Sequence, residues 1–171
     1  MKIIKWKIGD TPPSIEEQLA VAIGNFDGIH KGHVKLLNEC KLQAKESNLA
    51  FGVVTFDPHP RDFFNPKNPS FKLLDHEEKE RLLSKLGVEF LIIIEFNEQL
   101  KNCNAEQFLS QILKQNFNIV KMFAGSNFKF GKNREGSIEN TSSFANTIGL
   151  LLVSIDLKQF SSLTNKEYEE I

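Results

Sequence analysis

The chain has 171 residues, which suits one ordinary domain with a sizeable core. Hydrophobic residues make up 40% and charged residues 25%, and a net charge of −1 offers no electrostatic footprint for nucleic acid. The most apolar run, Phe90 to Ile94, is far too short to span a bilayer, and Met1-Lys-Ile-Ile-Lys-Trp lacks the apolar core of a signal peptide.

In chain order, Met1 to Ile8 reads as a short edge strand before the loop Gly9-Asp10-Thr11-Pro12-Pro13. Leu19 to Ile23 is an uncharged apolar run, the mark of a buried strand, expected to continue to about Phe26. Val34, Leu37, Cys40 and Ala44 then recur at helical spacing, which predicts a helix from about Gly32 to Ser47. Leu49 to Phe56 is β-branched and aromatic without charge, a second buried strand, stopped by Asp57-Pro58-His59-Pro60. Arg61 to Leu74 reads as a long irregular segment, of the kind that is functional or disordered in compact domains.

A helix is expected over Asp75 to Leu86, with Asp75 as N-cap, Glu77 and Glu78 in its first turn, and Gly87 ending it. Glu89 to Phe96 follows as a third buried strand. Asn104 to Gln115 follows as a helix capped by Asn104, with Phe108, Leu109 and Ile112 inward. Ile119 to Ala124 is the fourth buried strand, Gly125 to Gly136 a polar loop, Thr141 to Thr147 a short helix and Leu150 to Ile155 the fifth. Strands alternating with helices predict an α/β fold, a parallel sheet with right-handed crossovers, as one domain over 1–171. Ligands of such sheets bind beyond the C-terminal strand ends, and all three loops with candidate chemistry follow strand C-termini.

The first loop is the most informative. The Leu19 to Ile23 strand breaks at Gly24, and Gly24-Asn25-Phe26-Asp27-Gly28-Ile29-His30-Lys31-Gly32-His33 leads from it through a glycine-rich turn to a helix N-terminus. Helix N-termini offer unpaired N–H groups and partial positive charge, and glycine lets the backbone approach an anion closely. His30 and His33, separated by a glycine, can both donate N–H to phosphate oxygens, more strongly when protonated. Asp27 is the residue to order the turn. The segment is neither a P-loop nor G-x-G-x-x-G. The alternative for two histidines beside a turn is a solvated surface or a helix cap.

These ten residues resemble the signature of the H-x-G-H nucleotidyltransferases. The Asn-Phe-Asp-Gly form is similar to the FAD synthetase (FMN adenylyltransferase) module of bacterial bifunctional riboflavin kinase/FAD synthetases. The resemblance implies a Rossmann-like sheet with flanking helices, catalysis by His30 and His33, and ATP contacts from Gly24, Phe26, Asp27, His30, Gly32 and His33. It implies AMP transfer from ATP to FMN, giving FAD and pyrophosphate, with Mg²⁺ accompanying ATP and no dedicated metal ligands identified.

Two further segments extend the match. Thr55-Phe56-Asp57-Pro58-His59-Pro60-Arg61-Asp62-Phe63-Phe64 has two prolines that stiffen the chain, and Phe64 can give a planar ring a flat wall. The segment resembles the family's second motif, which implies flavin contacts from Pro58, Pro60 and Phe64; the alternative is a proline-rich turn with an apolar plug. Gly125-Ser126-Asn127-Phe128-Lys129-Phe130-Gly131 matches the third motif. Asn127 can hydrogen-bond a nucleotide or phosphate oxygen at the same rim, or merely hold its own turn. The resemblance turns Phe130 toward the flavin and extends to Arg134 and Gly136. A solvated Arg134 is the plainer expectation.

The tail departs from the family, which continues Ser-Ser-Thr-x-Ile-Arg. Here Ser161 and Ser162 match, as implied ATP contacts, but Asn165 and Lys166 stand where Ile and Arg are expected. Lysine keeps the charge without the planar fork. A C-terminal riboflavin kinase domain is expected to be absent, leaving a separate kinase to supply FMN. Cys40 and Cys103 form neither a metal spacing nor a disulfide framework, so a cytoplasmic location without membrane or nucleic-acid partners is expected. Other readings are an H-x-G-H nucleotidyltransferase with another acceptor, and a catalytically weakened flavin- or nucleotide-binding module.

Overall fold

All five residues of Leu19–Ile23 are buried, which demands cover on both faces and a neighbour on either side. The computed structural model, which describes residues 1–26, 29, 31–64 and 76–157, apart from the Arg61 side chain, supplies both. Among the described residues the strands are β1 (Lys2–Trp6), β2 (Leu19–Ile23), β3 (Ala50–Asp57), β4 (Phe90–Glu95), β5 (Ile119–Gly125) and β6 (Leu151–Ile155). They form one sheet in the order β1-β4-β3-β2-β5-β6, with every pair parallel. Leu19 pairs with Ala50 on one side and Ile119 on the other. The strand order reverses between β2 and β5, which makes their C-terminal ends the expected binding crevice.

Among the described residues the helices are α1 (Lys31–Glu46), α2 (Pro60–Phe64), α3 (His76–Lys85), α4 (Glu98–Lys101), α5 (Ala105–Gln107), which runs on as a π-helix (Phe108–Asn116), and α6 (Ile138–Thr147), with a 3-10 turn at Lys132–Arg134. The sheet's alternation divides the core in two. Ala20, Ala22, Val53 and Phe123 pack with Val34, Leu37 and Cys40 of α1 and Leu83 of α3. Leu19, Val21, Ile23 and Val54 face the other way, toward Phe108, Leu109, Ile112 and Leu113 of the π-helix and Ala145 of α6. The α/β class, the edge position of the first strand and the parallel sheet are as the sequence predicts.

Several boundaries differ. The first buried strand stops at Ile23 instead of reaching Phe26. Gly24 still donates its N–H to the Val54 carbonyl at 3.1 Å, but Phe26 turns to φ 50°, outside extended backbone. The segment taken as irregular from Arg61 begins as α2, with Pro60 at the first helical position, where its missing N–H costs nothing. Its remainder lies outside the described residues, as does the Asp75 cap. Asn104 does cap, in a reciprocal box with Gln107, but the helix beyond is π-helical. The helix expected from Thr141 starts at Ile138, because Ser137 and Asn140 close a capping box there.

Candidate active site

The loops bearing the three motifs leave β2, β3 and β5, which are adjacent in the sheet, so they meet along one stretch of its C-terminal rim. At the first loop the backbone is fixed from several sides. The Asn25 carbonyl accepts from Thr55 Oγ1 at 3.0 Å and from Lys79 Nζ at 3.2 Å. Phe26 follows, buried, and its ring meets the His33 imidazole edge-on at 5.2 Å. A Cβ on Gly24 would lie 3.3 Å from the Phe26 ring, so glycine leaves that ring its place. Gly32 is buried and His33 half-buried in the first turn of α1, which carries no acidic residue to oppose an anion. Asp27, Gly28 and His30 lie outside the described residues.

The second loop is proline-stiffened. Pro58 and Pro60 are half-buried, and Phe64 is 55% exposed at the end of α2, with Lys101 Nζ 5.7 Å from its ring centroid. Behind Phe64 runs a continuous series of rings. Phe64 and Phe63 both meet Phe96, at 5.9 and 5.3 Å. Phe96 meets Phe56 at 6.5 Å, and Phe56 meets Phe108 at 6.4 Å. Phe108 meets Phe130 at 5.6 Å, and Phe130 stacks on Phe128 at 5.8 Å. The second and third motifs are therefore joined by aromatic contacts through β3 and the π-helix.

The third loop is tighter than a free polar loop. Phe130 and Gly136 exchange backbone hydrogen bonds of 3.0 and 2.8 Å, closing it as an antiparallel bridge. Gly131 sits at φ 81°, and a Cβ there would lie 2.8 Å from the Ala105 backbone nitrogen, so only glycine lets the loop press against α5. Asn127 and Arg134 are exposed at the rim. Phe130 is buried with 5% exposure, so most of its ring is engaged by neighbouring phenylalanines.

The chemistry available here is anion binding beside an aromatic wall. Burial raises both thiols above the ordinary cysteine range, Cys40 most strongly, so neither presents a thiolate nucleophile at neutral pH. A cleft of about 480 Å³ lies elsewhere, lined by Trp6, Asp10, Cys103, Gln107 and Gln111 among others, and includes no residue that the motifs assigned to the site.

The FAD synthetase family profile matches residues 13–165. The chain belongs to that family. The match reaches well beyond the three motifs in both directions. Among curated relatives, the bifunctional riboflavin kinase/FMN adenylyltransferase of Buchnera aphidicola (Schizaphis graminum) is 36% identical over 72% of this chain and 40% of its own length. The protein of the same name in Escherichia coli is 31% identical over 80% of this chain and 43% of its own. That in Bacillus subtilis is 34% identical over 72% and 40%. The chain thus spans less than half the length of these relatives. A solved Streptococcus pneumoniae structure, described as a macrolide-efflux protein, shares the fold with a TM-score of 0.76 at 26% identity, over 91% of this chain and 58% of that one. Among the described residues no helix is long and apolar enough to cross a membrane.

Of the FAD synthetase residues expected from sequence, the structure brings Gly24, Phe26, Gly32 and His33 together at one corner. It sets Pro58, Pro60 and Phe64 on the neighbouring loop and Asn127 and Phe130 on the next. Ser161, Ser162, Asn165 and Lys166 lie outside the described residues. Sequence reasoning missed Thr55 and Lys79 at the first loop, and Phe96 and Phe108 in the ring series. Lys79 had a signal: it lies four residues before buried Leu83, on the inward stripe of α3, where a lysine needs a partner.

Proposed function

We propose that this chain transfers AMP from ATP to FMN, forming FAD and releasing pyrophosphate. What carries the reading is the adjacency of an anion-type helix N-terminus on β2 with an aromatic wall built from the loops of β3 and β5. Family membership supports it. An FMN phosphate oxygen attacks the α-phosphorus of ATP in line with the leaving pyrophosphate. The work left to the protein is holding two anions in that line and spreading charge over the pentavalent phosphorus.

In this reading His33 and His30 donate to the α-phosphoryl oxygens, with the N–H groups of α1 behind them. Gly24, Phe26, Asp27 and Gly32 shape the nucleotide site, and Asn127, Ser161 and Ser162 complete it. Pro58, Pro60 and Phe64 hold the isoalloxazine ring, while Phe130 backs that wall from beneath. Among the described residues no three His, Cys, Asp or Glu side chains form a metal cage. Mg²⁺ accompanying ATP would neutralise the leaving pyrophosphate. The two free cysteines suit a cytoplasmic setting, and a riboflavin kinase activity supplies the FMN.

The test is turnover with ATP, Mg²⁺ and FMN, followed by chromatography for FAD and an assay for pyrophosphate. FAD formation with FMN, against none with other acceptors or with CTP, is the expected result. Ordinary binding of FMN and ATP with no FAD formed would instead assign a binding module. Product with a different acceptor would move the chain to another nucleotidyltransferase activity.

A further inference from the structure

Lys79 has no part in the adenylyl transfer as described above, yet it reaches the corner from which that chemistry is presented. It is half-buried on α3, four residues before Leu83, so its stem runs along the inward face of the helix. Its ammonium donates to the Asn25 carbonyl at 3.2 Å, the same oxygen that accepts from buried Thr55 at 3.0 Å. Two donors satisfy both lone pairs of one carbonyl, and one of those donors is charged. The next residue, Phe26, is held at φ 50° with its ring against His33. A carbonyl pinned from two elements fixes the peptide plane, and that plane fixes where Phe26 and then His33 stand. The first residue of α3, His76, also lies 4.0 Å from Asp57 at the end of β3, so the helix is seated over both strand ends.

We propose that Lys79 is a positioning residue for the phosphate turn: with Thr55 it locks the Asn25 peptide, and through Phe26 it sets the His33 imidazole. This rests on the adenylyl-transfer reading only for its kinetic consequence. The lock itself is a property of the folded chain.

The experiment uses Lys79→Met, which keeps the stem and removes the donor, in the full chain. Turnover should fall about 10- to 100-fold, as for losing a charge-assisted hydrogen bond or for a slight misplacement of a reacting group. The melting temperature should fall by only a few degrees, as for one lost hydrogen bond, and the FMN Kd should stay at its wild-type value. Lys79→Arg, which restores a donor, should recover most of the loss. In a His33→Ala background, Lys79→Met should cost little more, because both changes remove the same contribution. Amide exchange at Gly24, Asn25 and Phe26, read by NMR without any substrate, should quicken on Lys79→Met. Thr55→Val should quicken the same amides.

Unchanged turnover and exchange in Lys79→Met overturns the proposal. So does a full multiplicative loss on top of His33→Ala, which would give Lys79 an independent role. A fall in melting temperature with equal loss of both substrates' affinity also overturns it, as general structural damage. If the unmodified chain makes no FAD, the adenylyl-transfer reading fails on its own, and amide exchange alone decides whether Lys79 holds the turn.

Discussion

The two faces of the sheet meet at one rim but are built on opposite physical terms. On the α1 face, the corner around Asn25 and His33 is set by directional bonds: Gly24 N–H to Val54, Thr55 and Lys79 to Asn25, and an imidazole edge-on to Phe26. On the π-helix face, the aromatic wall is set by ring packing, from exposed Phe64 through Phe96, Phe56 and Phe108 to buried Phe130. Directional bonds hold a few atoms in one place and so suit a transition state. Packing holds area and shape, and so suits a broad apolar ring. Damage to the first should therefore appear in rate, and damage to the second in stability and ground-state affinity.

The sharpest way to break this contrast is Phe130→Ala. The ring is buried against Phe108 and Phe128, so its loss should cost about 3–5 kcal/mol of folding stability by denaturant titration. A variant that keeps its stability but loses FMN would make Phe130 a flavin contact first and a packing residue second. Next is His33→Ala, expected to lower kcat on the order of 10²–10³-fold with ATP affinity nearly intact in calorimetry. Wild-type turnover would remove His33 from the mechanism.

Smaller still is Phe64→Ala. Being 55% exposed, Phe64 contributes little to folding, and the FMN Kd should rise by a factor matching about 0.5–1.5 kcal/mol, with ATP binding unaffected. Equal weakening of both ligands in a fluorescence titration would mean the wall and the phosphate corner are coupled. The smallest effect is expected from Asn165→Ile combined with Lys166→Arg, which restores an apolar anchor and a planar fork. A few-fold gain in kcat or ATP affinity is expected, and a variant no better than the natural tail would show that lysine suffices.

Much of this was legible in sequence because it rests on period and punctuation. Leu19–Ile23 and residues 90–94 are uncharged runs, and they lie in buried parallel strands. Asn104 announced its helix with a capping side chain. The π-helical continuation was not legible, because Phe108, Leu109, Ile112 and Leu113 would bury one face in either helix type. The Phe26 turn was misread as strand because an apolar residue beside a strand looks extended until its neighbours bend it. The grouping of Gly24, Phe26 and His33 at one corner was legible in the motif, but its supports were not. Thr55 and Lys79 act through a backbone carbonyl, so residue type does not name the contact; the inward place of Lys79 on α3 says only that it needs a partner, and that partner lies far away along the chain.

The parallel sheet also dictates when the site can exist at all. The strand that launches the phosphate turn needs one neighbour that begins at Ala50 and another that begins at Ile119. No crossover of this kind can be replaced by a local hairpin. On a ribosome the first motif is made early, yet it gains its second sheet partner only after most of the described chain has been synthesised. Until then the apolar Leu19–Ile23 run is open on one edge, a state in which other strands can pair with it. Competence to bind should therefore appear late and abruptly in a series of progressively longer nascent chains, after Gly125 has emerged.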